Sequence, residues 1–198
     1  MDKLPQAILF IHGKGKKSET WNTTESGKII DIEKSLSKNV HTMLLQVDDF
    51  TIIPSKLIDQ IIDDMRFYRW IIITHSLGVV HAFELLGRQI MIDGLCFIDP
   101  TAFTGRYIDS IKQFEIAEWI KEQLIIEVTP RIVFHIHINY QSGREEDLFQ
   151  EKIIEYSKFT HKNDKSRVIV HYNKSHMIHY TDAPKIIDSL KDLLMRTK

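Results

Sequence analysis

The sequence predicts an α/β fold: a single domain over residues 1–198, built on a mostly parallel six-stranded sheet with helices on both faces. Three observations carry this reading. Six short apolar runs recur along the chain, at 7–11, 40–47, 70–74, 94–98, 131–138 and 167–172. Several are almost continuously apolar, as strands are when helices cover both faces of a sheet. Longer amphipathic stretches separate them, and such an alternation implies parallel pairing through right-handed crossovers.

The helices follow from spacing. Residues 54–68 place Leu57, Ile58, Ile61, Ile62 and Met65 on one face, with Pro54 near the start. Residues 76–92 do the same through Val79, Val80, Phe83, Leu86 and Ile90. Two more are expected at 145–160 and 182–196, the last introduced by Asp182 and Pro184. Residues 101–130 break the rhythm and carry Phe103, Tyr107, Phe114 and Trp119. They read as a longer crossover helix, or alternatively as a small lid over a site mouth. No internal repeat, low-complexity tract or Gly/Ser-rich linker is present.

Composition narrows the function classes. A domain of 198 residues buries roughly 70% of the surface its unfolded chain exposes, so it needs no staple. Hydrophobic residues make up 43% and charged residues 27%, the balance of an ordinary soluble protein. With 26 basic against 27 acidic side chains, nucleic acid and membrane surfaces are not expected as main partners. The lone Cys96 cannot form an internal disulfide, which fits a reducing compartment. The apolar stretch 7–11 is too short for a signal-peptide core, and no run reaches the length of a spanning helix. A cytoplasmic location is the expectation; oligomeric state is left open.

The segment WIIITHSLGVVHAFELL carries the most chemistry. An apolar strand ends at Thr74, Ser76 follows two residues later, and an amphipathic helix begins at once. A serine on such a sharp turn projects its hydroxyl above the sheet. The helix start also aims free N–H groups at any developing negative charge. A capping serine after a buried strand is the plainer alternative. Earlier, the strand AILFI ends in His12-Gly13-Lys14-Gly15. The basic run there lacks the Gly-x4-Gly-Lys-Ser/Thr spacing of a phosphate loop.

Together these segments resemble the α/β-hydrolase superfamily, whose nucleophile motif is Gly-x-Ser-x-Gly. Here it reads Thr74-His75-Ser76-Leu77-Gly78, with threonine for the first glycine. The resemblance implies Ser76 as nucleophile, with the backbone N–H groups of Lys14 and Leu77 as the oxyanion hole. It leaves His12 a structural role. It also implies a sheet order of 2-1-3-4-5-6 in chain numbering, in a compact member without a large cap domain.

A serine needs an adjacent imidazole to take its proton. The family's catalytic histidine lies in a loop between the last strand and the C-terminal helix. That position holds Ser175-His176-Met177-Ile178-His179, so the resemblance gives the role to His176 over His179. Lys174 and Ser175 stand where the family usually has glycines. The acid usually lies beyond the penultimate strand, where Glu145, Glu146 and Asp147 are adjacent. Asp147 is the first choice, with Asp99 of the Asp99-Pro100 pair as the alternative and the glutamates behind both. The chemistry implied is hydrolysis of carboxylic esters of small or medium acyl substrates, with no cofactor and a small-molecule partner. A thioesterase, a carbon–carbon hydrolase, a peptidase or an inactive binding module on this fold are the other readings.

Two remaining features read as structural. His135 and His137 share one face of a strand, but no HExxH or clustered signature supplies further metal ligands, so no metal site is expected. Trp21, Phe103 and Trp119 could line an apolar pocket or belong to the core.

Overall fold

The computed structural model describes residues 4–14, 21, 35–36, 40–47, 54–88, 90–101, 131–141 and 146–197. Within them the chain order is β1 (Gln6–Ile11), β2 (His41–Leu45), α1 (Pro54–Ile58), α2 (Ile62–Met65), β3 (Arg69–His75), α3 (Val79–Leu86) and β4 (Met91–Ile98). There follow β5 (Val133–Tyr140), α4 (Glu146–Ser157), β6 (Arg167–Tyr172), α5 (Ile178–Thr181) and α6 (Ala183–Arg196). The six strands form one sheet in the order β2-β1-β3-β4-β5-β6, with every pairing parallel. Both the strand set and the order agree with the sequence expectation.

The continuous apolar runs are explained by the two cores. Leu9 and Ile11 of β1, Ile72 of β3, Phe97 of β4 and Phe134 of β5 face one core, which α3 closes with Val80 and Phe83. Their strand neighbours Ile8, Phe10, Ile73, Cys96 and Ile98 face the other, under Ile186, Leu190 and Leu193 of α6. Each side chain so buried contributes on the order of 1.5–3 kcal/mol. The Cys96 thiol is buried, and that burial pushes its pKa up, away from reactivity.

Two helices differ from expectation. The stretch 54–68 is not one helix: Gln60 and Ile61 donate to the carbonyls of Leu57 and Ile58, tightening the chain into a turn that separates α1 from α2. The helix expected over 76–92 stops at Leu86, with Gly87 at its C-cap, and the chain enters β4 at Met91. Apolar residues there belong to the next strand, which periodicity alone does not separate from a helix end. Of the lid candidate 101–130, all but Thr101 lie outside the described residues, Phe103 and Trp119 among them. Among the described residues no helix is long and apolar enough to cross a membrane.

Candidate active site

Parallel pairing delivers the site residues to one edge of the sheet. Ile11 of β1 and Phe97 of β4 both pair with Thr74 of β3, so the residues after all three strands emerge side by side. Ser76 is the first residue beyond β3 and has φ 51°, a left-handed backbone that non-glycine residues adopt at a cost of about 1–3 kcal/mol. It opens a 3-10 turn, Ser76–Gly78, that runs directly into α3. Such a turn lifts the serine hydroxyl clear of the sheet.

The loop after β1 packs on this turn without room for side chains. A Cβ on Gly78 would lie 2.6 Å from the His12 carbonyl oxygen, and one on Gly13 would lie 2.9 Å from the Ser76 Cβ. The absence of both side chains is what lets the loop and the turn meet. Lys14 follows Gly13 directly, and Leu77 follows Ser76. Thr74, in place of the motif's first glycine, is wholly buried between its paired strands and does not prevent the left-handed Ser76.

His176 arrives from the loop after β6, and several bonds fix that loop. Asn139 at the end of β5 donates through Nδ2 to the Lys174 carbonyl at 2.7 Å and accepts from the Lys174 N–H at 3.1 Å. The His75 Nε2–H donates to the His176 carbonyl at 3.1 Å, and the two rings lie 4.7 Å apart. His176 Nδ1 sits 2.6 Å from Asp99 Oδ2, with half its side chain open to solvent and the carboxylate 5% exposed. An ionised carboxylate only accepts, so Nδ1 carries the proton and Nε2 keeps a free lone pair. Among the described residues Ser76 and His176 are not hydrogen-bonded to each other; such bonds often form fully only when substrate is bound.

No protein-family model matches the sequence, and no curated protein matches it either. Solved structures do match over nearly all of the chain. MenH from S. aureus superposes with a TM-score of 0.66 at 13% identity, covering 100% of this chain and 96% of its own. A peroxisomal alpha-beta-hydrolase from Saccharomyces cerevisiae gives 0.63 at 8% identity, covering 98% of this chain and 77% of its own. This chain has the α/β-hydrolase fold. A thermophilic esterase from Thermogutta terrifontis is also similar, with a TM-score of 0.61 at 10% identity, covering 98% and 91% of the two chains.

On this hydrolase fold the acid beside the histidine differs from the first choice made on sequence. Asp147 lies in the first turn of α4 and is exposed, where its charge favours the helix N-terminus. Glu146 is exposed beside it, and Glu145 lies outside the described residues. Asp99 meets His176 because it too has a left-handed backbone, φ 41°, while its N–H donates to the His137 carbonyl at 2.7 Å. Burial pushes the Asp99 carboxyl pKa up, but Lys152 and His176 outweigh this and hold it at about 2. Lys152 Nζ donates to Asp99 Oδ1 at 2.8 Å.

His179 is fully buried, its ring 5.1 Å from Trp21 and 4.5 Å from His75, so it faces the core. Trp21 is itself core, packed on Phe10. His12 is occupied at both nitrogens: Nε2 accepts from the Val47 N–H at 2.9 Å and Nδ1 donates to the Gly13 carbonyl at 2.9 Å. His75, Asn139 and Lys152 were not singled out on sequence. A signal for Lys152 existed, since it falls in the buried stripe Leu148–Lys152–Tyr156 of α4, where a cation needs a carboxylate.

His135 and His137 pack against the C-terminal helix. His171 donates through Nδ1 to Asp182 Oδ2 at 2.8 Å, and its Nε2 accepts from His137 Nδ1 at 2.8 Å. His137 Nε2 in turn accepts from the Ser189 hydroxyl at 2.9 Å, and His135 Nδ1 donates to the Ser189 carbonyl at 3.0 Å. Among the described residues no group of three or more side chains is placed to hold a metal ion.

Proposed function

We propose that the protein is a serine hydrolase that cleaves carboxylic esters of small or medium acyl substrates through an acyl-enzyme. One observation carries this reading: a left-handed Ser76 at the strand-to-helix turn, together with an exposed His176 whose Nδ1 is bonded to buried Asp99. The histidine tautomer leaves Nε2 free to take the Ser76 proton as the oxygen attacks a carbonyl. Asp99 stabilises the imidazolium formed. The backbone N–H groups of Lys14 and Leu77 receive the oxyanion, each donor typically lowering the barrier by about 3 kcal/mol. His176 then returns the proton to the leaving alcohol, and water, deprotonated by the same ring, releases the acid.

The esterase among the structural neighbours agrees with this class. Thioesters react through the same steps, so the substrate screen includes both. The test is labelling with a fluorophosphonate probe. Wild type should label, while folded Ser76→Ala and His176→Ala should not. Absence of labelling on folded wild type would favour a binding module, and labelling that survives Ser76→Ala would mean a different nucleophile.

A further inference from the structure

The mechanism uses one oxygen of Asp99 and leaves a buried cation on the other unexplained. Lys152 reaches from α4, its side chain 9% exposed, and its Nζ lies 2.8 Å from Asp99 Oδ1. The fold's usual acid position leads into this same helix, yet here the helix brings a positive charge to an aspartate supplied by β4. The two carboxylate oxygens are thus divided, Oδ2 for His176 and Oδ1 for Lys152. The backbone N–H of Asn139 also points at Oδ1, at 3.4 Å. We propose that Lys152 is a positioning residue, whose ammonium fixes the Asp99 carboxylate and keeps His176 unprotonated to lower pH than Asp99 alone would allow.

The effect is electrostatic. A lone buried carboxylate against His176 would draw a proton onto the ring, because opposite charges at this range favour the charged form by one to three pH units. A lysine on the far oxygen makes the Asp99–Lys152 pair neutral, so imidazolium formation gains less. The other groups facing the cluster do not replace that charge. His75 and His171 are held neutral chiefly by burial. Tyr156 of α4 is a buried neutral phenol, with Glu155 beside it. His179 is fully buried and packs on His75. Removing the lysine also leaves Asp99 a buried charge with one partner fewer, which is strongly unfavourable.

This rests on His176 acting as the base proposed above, and the test is chosen to be read without turnover. The His176 ring would be titrated by NMR in wild type, Lys152→Met, Lys152→Gln and Lys152→Arg. The Met and Gln variants should titrate about one pH unit higher, and Arg, which keeps the charge, should stay near wild type. The acid limb of probe labelling should move with the ring. An unmoved His176 midpoint in folded Met or Gln protein would overturn the proposal. So would failure of both variants to fold while Arg folds, since Lys152 would then be only a structural ion pair. A shifted ring in a protein that never labels would sink the hydrolase reading and leave the charge effect standing.

Discussion

His176, on the loop after β6, behaves oppositely to three histidines on β5 and β6. His176 is half open to solvent, bonded through one nitrogen to a carboxylate, with the other nitrogen free. His135, His137 and His171 are buried under α6, joined through Ser189 to one another and to Asp182. Residue type is the same in both places. The difference is that His176 keeps an unused lone pair facing water, whereas His137 and His171 have both nitrogens committed. The first arrangement can move a proton to and from a substrate. The second holds α6 and the loop after β6 against the sheet.

The largest expected effect breaks the reactive group. Asp99→Asn presents an amide to His176 Nδ1 and favours the wrong tautomer, so the rate of probe labelling should fall about 10³-fold or more. Asp147→Asn, on the exposed start of α4, should leave that rate unchanged. Equal losses in the two variants would remove Asp99 from its role.

A smaller effect, of a different kind, comes from the buried file. His137→Leu leaves the His171 Nε2 without its donor and the Ser189 hydroxyl with His135 alone, for a loss of about 2–3 kcal/mol in urea unfolding. Labelling per folded molecule should not change. A variant that kept its stability but lost labelling would mean that the file serves catalysis.

The most gradual effect is a pH slope shared by several buried rings. Burial holds His75 and His137 well below the usual imidazole range, and pushes His81 and His135 down to about 4. Unfolded, these rings take up protons near pH 6.5, so below that pH the unfolded state binds more protons and is favoured. Stability should therefore be flat above pH 7 and decline from about 6.5 toward 4, by up to roughly 1.4 kcal/mol per pH unit for each ring. Thermal melts across this range check it, and a flat profile would mean that the buried rings titrate normally.

The sequence made some of this legible and hid the rest for physical reasons. Strands buried on both faces leave continuous apolar runs such as 7–11 and 70–74, and their parallel order followed from the helices between them. The positions of Ser76 and His176 in the fold were legible because each follows a strand end, and their catalytic roles belong to the proposal. The acid was not, because which carboxylate reaches an imidazole depends on backbone turns. Asp99 turns inward through a positive φ, while Asp147 starts a helix and faces out. Lys152 left only a faint signal, a cation within the stripe Leu148–Lys152–Tyr156, because nothing in the sequence names the carboxylate it pairs with.

The contact between His75 and His176 spans 101 residues, and that between Asp99 and His176 spans 77. Parallel strands postpone such pairings, since the loop must close before any contact rewards it. A chain released as far as β5 holds Ser76 and Asp99 but lacks the ring that would activate the serine. In the mechanism proposed above, the serine therefore gains its base only after β6 and the loop that follows it have docked.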